Sequence, residues 1–227
     1  MSEEDRTFCI MRHMAIFPCL APFTLAVRPL AARLACGVGL AVAMAACSPA
    51  LNWRAVQVPD ADGLSALFPC KPERIERRIA WHGVPEGVVM HMLACEAQGL
   101  NWSLSYVTLP EVGLIEPALR QWPEMVRANI ERAGQALQGG SAAVLATDRG
   151  PVSVPRMTPS DHAHAWYFEG VKPDARGQAV PVAIHTWHFF HGMTVLQASV
   201  SGAPEGLARQ SSEDVTQAFF GGFHFPG

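Results

Sequence analysis

After residue 47 the sequence has no second apolar run of membrane-spanning length, no basic patch, no low-complexity tract and no internal repeat. Those absences leave no second candidate for a membrane-spanning helix and no sign of a repeat architecture, and they argue against nucleic acid as a partner. Four of the 17 basic residues and three of the 20 acidic ones precede Cys47, so the remainder carries a formal excess of four negative charges. Signals of common chemistry are missing too. There is no Gly-x-Ser-x-Gly elbow of the serine hydrolases. There is no phosphate-cradling glycine loop; Gly139-Gly140 and Gly221-Gly222 read as helix stops. Glu111 and Glu116 fall in a loop and read as solvent-facing rather than as a glycosidase pair.

What is there begins with one apolar run, Leu34 to Ala46, free of charge and proline and preceded by Arg28 and Arg33. A spanning helix needs about 20 apolar residues, so this length suits the central region of a secretory signal. The run ends in Met44-Ala45-Ala46-Cys47-Ser48. That segment resembles the lipobox of bacterial lipoproteins, with Met in place of the usual Leu. The resemblance implies cleavage before Cys47, acylation of Cys47 with palmitate-type chains, and outer-membrane sorting, because Ser48 rather than Asp follows. Two or more acyl chains anchor a protein stably where one does not. The rival readings are an uncleaved anchor and an ordinary signal peptide with a chance cysteine. No signal needs residues 1–26, so translation is expected to begin at Met14 or near Val27.

The expected organisation is a leader over 1–46, a lipid anchor and tether over 47–62, and a single domain over 63–227. That leaves 181 residues after the leader, enough for one domain with its own core. Cys9, Cys19 and Cys36 leave with the leader and Cys47 takes the lipid, so Cys70 and Cys95 remain as an even pair in an oxidising compartment. A Cys70–Cys95 disulfide is expected; two buried free thiols fit the periplasm less well.

Strands are expected at 63–68, 73–81, 88–97 and 100–109, the last three forming an antiparallel meander. Trp102, Leu104 and Tyr106 alternate onto one face. Leu119, Trp122, Val126, Ile130, Ala133 and Leu137 recur at spacings of three and four and predict a helix. Pro123 predicts a break in it, or a start at Trp122. Further strands are expected at 142–147, 162–170, 180–191 and 193–201. A second helix is expected from Ser211 or Ser212 to Phe220, then a closing strand at Phe223–Phe225.

This order, from Phe68-Pro69-x-Lys71-Pro72 through meander and helix to Phe219-Phe220-Gly-Gly-Phe223, resembles the PsbP-like α+β domains. Those domains recur in bacterial envelope lipoproteins and in a photosystem extrinsic subunit. The resemblance implies an antiparallel sheet packed against two main helices and an accessory or binding role; it carries no catalytic residue.

Histidine supplies the one hint of chemistry. His162 and His164 are expected on one face of a strand, about 7 Å apart, where they would hold zinc if Glu169, Asp161 or His185 supplied a third ligand. Trp166 and Phe168 continue that face, so the alternative is a core face with histidines at its wet end. His185, His188 and His191 look clustered, but strand alternation turns His188 away from the other two. The leading expectation is therefore a non-enzymatic, lipid-anchored outer-membrane domain facing the periplasm. It would bind a protein partner or envelope component and need no cofactor. A zinc-dependent envelope enzyme centred on His162 and His164 comes second, and a cell-wall binder using exposed aromatics third.

Overall fold

The computed structural model describes residues 51–137 and 143–227. Cys47, the tract before it and Gly139-Gly140 lie outside those residues. The fold is mixed α+β. A hairpin of β1 (Arg54–Val58) and β2 (Leu64–Phe68) precedes the meander β3 (Glu73–Trp81), β4 (Val84–Ala97) and β5 (Leu100–Thr108). A short 3-10 turn (Val112–Leu114) leads into the long helix α1 (Ile115–Gln135). A second meander follows: β6 (Leu145–Pro151), β7 (His164–Pro173), β8 (Ala179–His191) and β9 (Thr194–Gly202). Two short helices, α2 (Pro204–Ser212) and α3 (Val215–Gly221), close the chain. β3 to β9 form one antiparallel sheet in the order β3-β4-β5-β9-β8-β7-β6, so the meanders join edge to edge at β5 and β9.

Alternation along the strands gives the sheet two different sides. Leu100, Trp102, Leu104 and Tyr106 of β5 and Leu196, Ala198 and Val200 of β9 point to one side, all at 1% exposure or less. There they meet the β1–β2 hairpin, α2, α3 and the terminal Phe223 and Phe225. Phe219 is the hub of this layer: its ring packs edge-on to Phe68, Trp102, Phe220 and Phe223 at centroid distances of 5.1–5.5 Å. Burying each such side chain contributes about 1.5–3 kcal/mol. The Cys70–Cys95 disulfide is present and ties the segment after β2 to β4, pinning the small hairpin to the large sheet.

The other side carries α1. The predicted stripe is the buried one: Leu119, Trp122 and Ile130 are all 5% exposed or less, and Val126 packs beside them. Trp122 meets Trp81 edge-on at 5.5 Å. Gly170 of β7 lets the helix come close, since a Cβ there would collide with Ile130.

Several expectations are corrected. Residues 54–58, read as tether, form β1, because Val58 is fully buried and the segment pairs with β2. α1 runs unbroken through Pro123. The proline removes one helical hydrogen bond, but it lies on the buried side of a 21-residue helix whose stripe packs along the sheet. The helix expected from Ser211 or Ser212 to Phe220 spans Val215–Gly221 and follows Asp214, whose φ of 58° is left-handed; a further helix, Pro204–Ser212, precedes it. The closing strand is a single bridge, His224 to Ser65. β7 begins at His164, which leaves His162 in the preceding turn.

Candidate functional site

The histidines separate. His164 starts β7 on the α1 side of the sheet, and Trp166 and Phe168 continue that face, their rings stacked at 6.2 Å. The His164 Nδ1–H donates to Asp148 Oδ2 at 2.8 Å. In the turn before it, His162 Nε2 accepts from the Arg120 guanidinium at 3.0 Å and lies 3.7 Å from Glu116 Oε2. Both imidazoles line a shallow depression of about 250 Å³ beside α1, together with Asp148 and Asp161. Glu169 and His185, the other proposed ligands, are on the opposite side of the sheet. Among the described residues no group of three or more His, Cys, Asp or Glu side chains is placed to hold a metal ion.

On β8, alternation divides the remaining three as expected. His185 packs on Phe220 at 4.6 Å and His191 stacks on Phe225 at 4.2 Å, both on the side of the C-terminal helices. His188 points under α1, fully buried, with Nε2 donating to Gln197 Oε1 at 3.1 Å and Nδ1 without a partner. Burial pushes the His188 imidazole down to about 4, although the Gln197 bond opposes this. Burial, and then the positive charge of Arg149, lower His185 to about 4 as well.

The more developed site is one the sequence reading missed. Between β6–β8 and the helices α2 and α3 opens a cleft of about 410 Å³. Trp187 of β8 and Phe220 of α3 form one wall, stacked at 4.9 Å with an interplanar angle of 17°. His185, Tyr167 and Arg149 line it from the sheet, and Ser211, Thr216 and Gln217 from the helices. The Tyr167 hydroxyl donates to Glu169 at 3.1 Å; burial first, then that carboxylate, raise its pKa.

Arg149 reaches the cleft because β6 carries a bulge. Asp148 pairs with Trp166 and Gly150 with its direct neighbour Ala165, so Arg149 is the extra residue between them. Bulges bend a strand and re-aim a side chain. Gly150 takes a φ of 97°, accessible to glycine, and its N–H donates to Asp148 Oδ1 at 2.8 Å. Burial opposes ionisation of Asp148, but the Gly150 N–H and then His164 outweigh it and hold the carboxyl below its ordinary range. His164, the residue that looked like a metal ligand, thus clamps the carboxylate that shapes the bulge. The Arg149 guanidinium lies 5.1 Å from the Tyr167 ring centroid and makes no ion pair among the described residues. Glycine inside a β pattern, as in Asp148-Arg149-Gly150, is the sequence signal for such a bulge.

No family model matches the chain, and no curated protein matches it. Among solved structures it aligns with the solution structure of cyanobacterial PsbP (CyanoP) from Synechocystis sp. PCC 6803. The alignment has a TM-score of 0.39 and 14% identity, over 80% of this chain and 96% of that one. At that distance the match says nothing of ligand, partner or activity.

The cleft combines one fixed cation, a neutral imidazole, hydroxyl and amide groups and an aromatic wall. Such concave sites of mixed lining are where small ligands and side chains lodge.

Proposed function

We propose that the chain is a lipid-anchored envelope protein, held at Cys47 in the outer membrane with its domain in the periplasm. It acts by binding a protein partner or envelope component, not by catalysis. The lipobox-like run Met44 to Cys47 supports the anchor, and the Cys70–Cys95 disulfide suits an oxidising compartment. The observation that carries the binding role is the aromatic-walled cleft beneath α2 and α3, with Arg149, which makes no ion pair among the described residues, at its edge.

Two readouts in intact cells test this. Radiolabelled palmitate should enter the wild-type chain and not Cys47→Ser. A photo-crosslinker at Gln217, exposed on the cleft, should give a discrete adduct, whereas one at Arg77, exposed on β3, should not. Wild-type protein without label defeats the anchor. Adducts that are equal at both positions, or absent from Gln217, defeat the binding role.

A further inference from the structure

We propose that the cleft binds an amphipathic organic carboxylate, a small molecule with one negative charge on an apolar body. The inference rests on the binding role above and gives it a ligand class.

Arg149 carries the argument. It is exposed yet held, because the Asp148–Gly150 hydrogen bond fixes the bulge that presents it. Its neighbour Asp148 forms no ion pair with it among the described residues, its carboxylate being turned to His164 and the Gly150 N–H. A guanidinium presents parallel N–H donors that match the two oxygens of a carboxylate. His185 adds no second charge at neutral pH, since burial keeps its ring neutral. Arg149 is the one cation in the lining, and the Glu169 carboxylate behind Tyr167 adds negative charge, so the site suits a ligand of one negative charge better than a phosphate dianion. The body of the ligand is set by the wall: the stacked Trp187 and Phe220 offer flat apolar surface, and Leu207 adds an aliphatic patch. The Thr216 hydroxyl, which donates to Ser211 at 3.3 Å, lies in the same lining.

The test is calorimetric titration of the purified full chain in detergent, which keeps lipidated and unlipidated chain alike in solution, with detergent alone as background. The probes are phenylacetate, cinnamate and octanoate, the primary amide of whichever binds tightest, and phenyl phosphate. At least one carboxylate should bind saturably. Its amide should bind about tenfold more weakly or worse, the usual effect of losing a charge-assisted hydrogen bond. Arg149→Gln should weaken the carboxylate by about the same factor while its unfolding midpoint stays at the wild-type value. The proposal is overturned if no carboxylate binds at millimolar concentration or if amide and carboxylate bind alike. It is equally overturned if Arg149→Gln binds as wild type does, or if phenyl phosphate binds more tightly than every carboxylate. Palmitate labelling reads the anchor, crosslinking reads partner contact and calorimetry reads the cleft, so each can fail alone.

Discussion

The two sides of the large sheet are made by the same strands and are chemically unlike. Along β5, Leu100, Trp102, Leu104 and Tyr106 face the C-terminal helices, while Asn101, Ser103 and Ser105 face α1. Along β9, Leu196, Ala198 and Val200 oppose Gln197, Ser199 and Ser201. On the α1 side these make polar rows across three strands: Thr186, Ser199 and Ser103 in one register, His188, Gln197 and Ser105 in the next. One side is an aromatic core anchored on Phe219. The other has a smaller apolar cluster, with Trp81, Val107, Trp122 and Val195, and beside it buries hydroxyls and an imidazole, satisfied in part by the Ser103–Ser199 bond at 2.8 Å and the His188–Gln197 bond. Cohesion is thus concentrated on the side that also holds the cleft, and acid sensitivity is shared between the two.

The sharpest way to break this contrast is Phe219→Ala, which empties a fully buried aromatic hub. It should cost about 4 kcal/mol in urea unfolding; a loss near 1 kcal/mol would move the weight of the fold elsewhere. Next, the double variant Cys70→Ser, Cys95→Ser frees the hairpin from the sheet. With a sequence separation of 25 it should lose about 3 kcal/mol.

Acid comes third. The buried ring of His188 and the half-buried ring of His185 stay neutral in the fold down to about 4, whereas in the unfolded chain they take up protons near the ordinary histidine value. Above about pH 6.5 neither contributes a pH dependence. As pH falls from there the unfolded state binds more protons and stability drops, by about 2 kcal/mol per ring at pH 5. His188→Gln keeps a partner for Gln197 and should remove about half of that drop. The smallest effect belongs to the polar rows. Ser199→Ala should cost about 1 kcal/mol, and adding Ser103→Ala should cost no more, because the second change removes the orphaned hydroxyl.

Much of the scaffold is legible in the sequence because alternation is a strong signal. The face of Trp102, Leu104 and Tyr106, the separation of His188 from His185 and His191, the buried stripe of α1 and the Cys70–Cys95 pair all follow from periodicity or cysteine count. Other features depend on contacts that no local pattern records. β1 looked like tether because only its pairing with β2 makes it a strand. α1 survives Pro123 because the helix is long and its stripe is docked on the sheet. Pro204-Glu205 is a fair helix start, yet the helix it begins is only nine residues long and carries too few apolar positions to show a stripe. The site was least legible of all. Arg149 is one surface cation in the sequence; a one-residue bulge, Gly150 and the His164–Asp148 pair give it a position.

The most direct test of the account follows the six tryptophan indole N–H signals by NMR as phenylacetate is added. Trp187 lines the cleft, Trp102 is sealed in the aromatic core, and Trp81 packs beneath α1 against the helix's own Trp122. Phenylacetate should give a saturable shift of the Trp187 signal with Trp81, Trp102 and Trp122 unmoved, and Arg149→Gln should abolish that shift. A shift of Trp81 or Trp122 while Trp187 stays still would place binding on the wrong side of the sheet and contradict it.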